Sequence, residues 1–210
     1  MKLKFCGFTR IDDVKLAINL GVDYQGFIFF EGSKRFVSID VFDNISKNVK
    51  GNFVAVFVNE NVNKVIDLYN LYQFSFVQLH GEEDNEYIED LLNREIPVIK
   101  AFRIKNQDDA VKIKECISEF VLLDAFVEGT YGGTGKRIDE TLLNIILSSC
   151  NNKKVFLSGG INKYNISDII KKFGSKIFAI DISSGIEESP GIKSHILMKE
   201  VFNLFKQSTS

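Results

Sequence analysis

Two short runs of small residues, Ser158-Gly159-Gly160 and Ser183-Ser184-Gly185, have the makings of an anion cradle. Small residues leave backbone N–H groups exposed, and several such groups converging on one point hold a phosphate without a charged side chain. Elsewhere the chain offers the thiol of Cys6, the guanidinium of Arg35, the imidazole of His80 and the carboxyls of Asp124 and Asp181. A thiol and a carboxyl move protons, and a guanidinium fork pairs with a carboxylate along one edge. Gathered on one rim, these groups would form an active site rather than a packing surface.

The elements that must gather them are legible as alternating patterns. Apolar runs read as strands at Leu3 to Cys6, Tyr24 to Phe30, Phe53 to Val58, Phe74 to Leu79, Val98 to Phe102, Phe120 to Leu123, Val155 to Leu157 and Ile177 to Ile182. Helical periodicity falls between them, at Ile11 to Leu20, Val62 to Leu71, Tyr87 to Leu92, Asp108 to Ile117 and Thr141 to Leu147. A further helix carries Ile166, Ile169, Ile170 and Phe173 on one face, with Asn162 expected as its cap. Strand–helix alternation implies a parallel α/β fold, and eight evenly spaced strands predict a single closed (β/α)8 TIM barrel spanning 1–210. In that architecture functional residues collect at the C-terminal strand tips, and phosphate usually sits at tips seven and eight.

Period-two alternation adds detail. Lys4 shares the inward face of Cys6, one layer deeper, where an ammonium needs a carboxylate. The eighth strand closes beside the first, so Asp181 is its expected partner. Gln78 and His80 share a face and are expected to line the pocket. His195 lies in a terminal helix pattern and is read as structural. Glu82, Glu83 and Asp84 are read as acids at a helix N-terminus. The loop Glu128 to Lys136 is glycine-rich but fails as a P-loop, because Thr130 stands at the glycine position and Arg137 follows the lysine. A mobile lid is the expectation there.

Composition excludes other classes. A net charge of −2 over 210 residues gives no basic field for nucleic acid and no membrane-seeking face. Two histidines, and no CxxC or HExxH pairing, leave no metal site to be expected. Three widely spaced cysteines suit free thiols in a reducing compartment, and no leader is evident, so the expected location is the cytoplasm. Monomer and homodimer both stay open.

The ordered motifs resemble one family. Lys4-Phe5-Cys6-Gly7-Phe8-Thr9, Ser33-Lys34-Arg35, Val77-Gln78-Leu79-His80-Gly81-Glu82, Leu122-Leu123-Asp124, Leu157-Ser158-Gly159-Gly160, Asp181-Ile182-Ser183-Ser184-Gly185-Ile186-Glu187 and Pro190-Gly191-Ile192-Lys193 are similar in type and order to phosphoribosylanthranilate isomerase. The chain departs from the family at Asp139-Glu140, where a tryptophan is usual, and at Lys193-Ser194; both are expected to lie off the catalytic tips. The resemblance implies an Amadori rearrangement of a phosphorylated small-molecule substrate, without cofactor. Cys6 would act as base, Asp124 as acid and Arg35 as grip on the anthranilate carboxylate. Gln78, His80 and Asp181 would touch substrate. Gly159, Gly160, Ser183, Ser184 and Gly185 would hold the phosphate, with no lysine required. Another sugar-phosphate enzyme such as an epimerase, or a barrel that only binds phosphorylated ligands, would share the same cradle.

The implied chemistry sets a requirement. At neutral pH about 3% of an ordinary thiol is ionised and about 0.1% of an ordinary aspartate is protonated. Their joint population costs roughly 6–7 kcal/mol unless the site raises Asp124, lowers Cys6, or does both.

Overall fold

The computed structural model describes residues 1–125, 138–150 and 152–209. The loop read as a lid, Glu128 to Lys136, lies outside them. Among the described residues eight parallel strands close into a barrel in chain order: β1 (Lys2–Cys6), β2 (Tyr24–Ile28), β3 (Phe53–Phe57), β4 (Phe76–Leu79), β5 (Val98–Ile104), β6 (Phe120–Ala125), β7 (Lys154–Leu157) and β8 (Ala179–Ile182). The helices are α1 (Ile11–Leu20), α2 (Ile39–Asn48), α3 (Val62–Tyr72), α4 (Asn85–Leu92), α5 (Asp109–Glu115), α6 (Glu140–Ser148), α7 (Ile166–Phe173) and α8 (His195–Thr209). A short antiparallel hairpin, β9 (Glu187–Ser189) and β10 (Ile192–Lys193), follows β8 on its way to α8.

The expected barrel is therefore present, with shifted ends. Strands β2, β3 and β4 are shorter than their apolar runs, and β5 and β6 continue past theirs. Helix α2 has no counterpart in the sequence reading. It buries only Phe42 and Ile45 fully, too sparse an apolar stripe to stand out, and it starts where Ser38 Oγ accepts the Val41 N–H. Asn162 does not cap α7: its side chain accepts the Tyr164 N–H at 2.9 Å in a preceding turn, and Asn165 stands at the cap position. The expected apolar face of α7 is buried as read.

Strand alternation divides the side chains between two cores. Outward residues such as Leu3, Phe5, Val77, Leu79, Leu123 and Ile182 pack under the helices. Inward residues near the strand starts form a floor of Val54, Phe76, Ile99, Leu122, Phe156 and Ala179, joined by Tyr24, Phe120 and Phe178. The rings meet edge to face, with Phe76–Phe120 centroids 4.8 Å apart and Phe120–Phe178 centroids 5.5 Å apart, the arrangement that ring quadrupoles favour. Nearer the C-terminal ends the inward residues turn polar, as Lys4, Cys6, Gln78, Asp124 and Asp181. The barrel closes where β1 pairs with β8, in a register that sets Lys4 opposite Asp181.

Candidate active site

Cys6 ends β1 with its thiol buried in the barrel. Its neighbour in register is Gly26, where a Cβ would stand 2.6 Å from Cys6 Sγ; the missing side chain makes the room the sulfur occupies. One layer below, the fully buried Lys4 ammonium donates to Asp181 Oδ1 at 2.9 Å, the pairing expected from alternation. Burial pushes the Cys6 thiol up, and although the Lys4 charge pulls it down, the net direction is upward. For Lys4, burial opposes the charged form, but Asp181 and Cys6 outweigh it and the ammonium is held above its ordinary range.

Asp124 lies at the end of β6, buried, with one oxygen accepting the Ala125 N–H at 2.9 Å. The other oxygen stands 3.6 Å from His80 Nε2. On its far side the His80 ring shares a 2.9 Å hydrogen bond between Nδ1 and the Gln78 amide. Gln78 and His80 thus face inward together, as read, and reach towards Asp124. His80 Nε2 and Gln78 Oε1 are buried without a hydrogen-bond partner among the described residues. Around the ring of strands, β7 and β8 separate Asp124 from Cys6, so the two small-residue tips stand between the carboxyl and the thiol.

Those tips touch. A Cβ on Gly185 would overlap the Ile161 carbonyl oxygen, so only glycine lets the two loops come this close. Gly159 and Gly160 both adopt left-handed backbone, φ +93° and +62°, which turns the chain sharply after β7. The Gly160 carbonyl is occupied by the Asn162 and Asn165 amides. The N–H groups of Gly159, Gly160, Ser184 and Gly185 donate to no acceptor among the described residues, and Ser183 Oγ is buried and equally unpartnered. Donors in this arrangement suit an anion.

Arg35 does not point free into the mouth as an isolated grip. Its Nε and Nη2 donate to the Glu187 carboxylate at 2.7–3.1 Å. Lys193, expected off the tips, is instead fully buried beneath them. Its ammonium donates to the Cys6 carbonyl at 2.5 Å, to the Ser183 carbonyl at 3.3 Å and to Glu187 Oε1 at 2.8 Å. Sequence reasoning missed Glu187 and Lys193 as rim residues; the Glu-Ser-Pro-Gly turn between them was the one signal that the chain doubles back there. Glu83 also differs from its reading. Only Asp84 caps α4, accepting the Tyr87 N–H, while Glu83 takes the N–H groups of Asn59 and Gly81 and pairs with the buried Lys100 at 2.8 Å. His195 has the structural role expected of it, bonding Asp13 at 3.0 Å. Among the described residues no cluster of His, Cys, Asp and Glu could hold a metal ion, and no helix is long and apolar enough to cross a membrane.

Residues 3–204 match the family model for N-(5'phosphoribosyl)anthranilate (PRA) isomerase. The N-(5'-phosphoribosyl)anthranilate isomerase of Sulfurihydrogenibium sp. is 36% identical over 209 residues, covering 98% of this chain and 99% of that one. The crystal structure of phosphoribosyl anthranilate isomerase from Thermotoga maritima superposes with a TM-score of 0.87 at 33% identity, covering 99% of each chain. A structure of phosphoribosyl anthranilate isomerase in complex with reduced 1-(o-carboxyphenylamino)-1-deoxyribulose 5-phosphate superposes with a TM-score of 0.84, again at 33% identity and 99% of each chain. With the barrel, the ordered tips and these likenesses together, the chain belongs to the N-(5'-phosphoribosyl)anthranilate isomerase family.

Proposed function

We infer that this chain converts N-(5-phospho-β-D-ribosyl)anthranilate to 1-(2-carboxyphenylamino)-1-deoxy-D-ribulose 5-phosphate in L-tryptophan biosynthesis. The observation that carries the reading is the placement, within this family, of a buried thiol and a buried carboxyl on one rim with a donor-rich cradle between them. Asp124 protonates the furanose ring oxygen, and the ring opens to an iminium. Cys6, as thiolate, removes the proton from C2. The resulting enolamine tautomerises to the ketone, so the atoms only rearrange and proton transfer suffices.

The phosphate rests on the N–H groups of Gly159, Gly160, Ser184 and Gly185, with Ser183 beside them, and places C1 and C2 between acid and base. Arg35 takes the anthranilate carboxylate, and Gln78, His80 and Asp181 line the sugar. Burial raises Cys6, so the thiolate is its scarce form. Lys4 is the group that favours it, since an ammonium beside a thiolate lowers the cost of ionisation. The buried free thiols Cys6, Cys116 and Cys150 accord with action in the cytoplasm.

The test generates phosphoribosylanthranilate in situ and follows the loss of its fluorescence. The expected result is isomerisation that survives exhaustive chelation. Activity lost with EDTA and restored by zinc or iron would replace this reading with a metal-dependent one.

A further inference from the structure

Among the buried charges that the acid–base roles leave without a task, Glu187 is held by Lys193 at the thiol's corner of the rim. The Glu187 side chain is only 4% exposed, and donors converge on both its oxygens. Arg35 Nε reaches both oxygens and Nη2 reaches Oε2, while the Lys193 ammonium and the Gly191 N–H reach Oε1. Burial pushes the carboxyl up, but the Arg35 hydrogen bonds and the Lys193 charge outweigh it, and the group lies below its ordinary range. A carboxylate so held is fixed in place and charged.

The arginine is fixed with it. The guanidinium has three nitrogens in a plane and can present a two-pronged edge along Nε–Nη2 or along Nη1–Nη2. Glu187 occupies the first edge. Nη1 has no acceptor among the described residues, which leaves the second edge for another carboxylate. The stem of Arg35 lies on Gly7, where a Cβ would stand 2.6 Å from Arg35 Cδ, so this edge belongs to the same corner of the rim as Cys6. Charge agrees with the geometry. Lys193 faces three acceptors, Cys6 O, Ser183 O and Glu187 Oε1, and serving all three needs the three hydrogens of an ammonium. Burial draws Lys193 below its ordinary range against the pull of Glu187, so the lasting positive charge at this edge is the Arg35 guanidinium, which a ligand carboxylate can meet.

We propose that Glu187 is a positioning residue for Arg35: it holds the Nε–Nη2 edge so that the Nη1–Nη2 edge selects sugar phosphates carrying a carboxylate on the aromatic amine. Lys193 anchors Glu187 to the backbone of Cys6 and Ser183, which ties the carboxylate subsite to the thiol and to the phosphate tips. This rests on the reading of Arg35 as the carboxylate grip. An arginine ordered before the ligand arrives loses less freedom on binding than one that must be caught from solvent.

The experiment measures calorimetric affinity of the full chain for two probes. One is reduced 1-(o-carboxyphenylamino)-1-deoxyribulose 5-phosphate, and the other is the same molecule without the ring carboxylate. The wild type should prefer the carboxylated probe by roughly 10–150-fold, the range of hydrogen bonds to charged groups. Arg35→Ala should abolish the preference. Glu187→Gln should cut it by at least about tenfold, weakening the carboxylated probe far more than the uncarboxylated one. Glu187→Asp keeps a negative charge for Lys193 but withdraws the oxygens from Arg35, so it should cut the preference in the same way and serves if the glutamine variant does not fold. Equal weakening of both probes in the Glu187 variants, or weakening of neither, would overturn the positioning role. A preference that survived Arg35→Ala would overturn the Arg35 reading itself, and the two failures are distinct.

Discussion

Lys4→Met deletes an ammonium and keeps most of its stem. Asp181, 2.9 Å from that ammonium and itself buried, then loses its counter-charge where water cannot replace it. Breaking one side of a buried pair costs about 3–5 kcal/mol. For a domain of this size each kcal/mol moves the midpoint about 2–4 °C, so Tm should fall by about 6–20 °C. Because the folded state holds Lys4 above its ordinary 10.5, its contribution is complete at lower pH and fades only as pH climbs through the higher folded value. The deficit should therefore be flat across neutral pH. The thiol supplies a second readout. After burial, the Lys4 charge is the strongest influence on Cys6, and it acts downward. Without it the Cys6 pKa should rise further, seen as an alkaline shift in the pH midpoint of iodoacetamide labelling. Cys116 and Cys150 should first be replaced by alanine; burial already holds Cys150 up at about 11. Lys4→Met combined with Asp181→Leu should recover most of the stability, since a buried pair exchanged for apolar groups is often neutral. An unchanged Tm in the single variant, or a labelling midpoint that stayed put or moved down, would refute the account of this pair.

Three further outcomes are expected. Cys6→Ser and Asp124→Asn should each lower kcat by about 10²–10⁴ with KM and Tm little changed, and a serine variant with near-normal kcat would move the base elsewhere. Gly185→Ala should drive the β8 tip away from the Ile161 carbonyl and weaken phosphate binding in a calorimetric titration, whereas unchanged affinity would place the anion elsewhere. Glu187 is held below its ordinary 4.5, so its stabilisation is complete above that value and is lost as pH falls through the lower folded one. The Tm gap between wild type and Glu187→Gln should accordingly shrink in acid, and a constant gap would show that the carboxylate's charge contributes nothing.

What could be read from the sequence was what depends on short-range pattern. Period-two alternation placed Lys4 under Cys6 and Gln78 beside His80, and strand order then made Asp181 the partner across the closing seam. The small-residue tips were legible because backbone exposure is a local property of glycine and serine. Helix α2 escaped because two fully buried residues in ten make a weak stripe. Glu187 and Lys193 escaped for a different reason: their partners are Arg35, 152 positions from Glu187, and the Cys6 carbonyl, 187 positions from Lys193. No periodicity reports a contact of that span, and a glutamate followed by Glu-Ser-Pro looks like any solvated turn. Glu83 was misread because acids before a helix ordinarily stabilise its N-terminus, and only the fold reveals that Lys100 is waiting behind it.

The seam between β1 and β8 also bears on when the enzyme comes into being. Cys6 and Lys4 emerge from the ribosome well before Asp181, Ser183, Glu187 and Lys193, and six strands of the barrel lie between the two groups. The thiol's corner of the mouth is thus completed by contacts whose loop-closure entropy is met only when the two ends of the sequence meet. A chain stopped before Asp181 can lay down strands and much of the aromatic floor, yet it leaves the Lys4 ammonium without a counter-ion and Arg35 without its brace. Both braces therefore come only with ring closure, which puts the corner around the thiol among the parts of the barrel that order late.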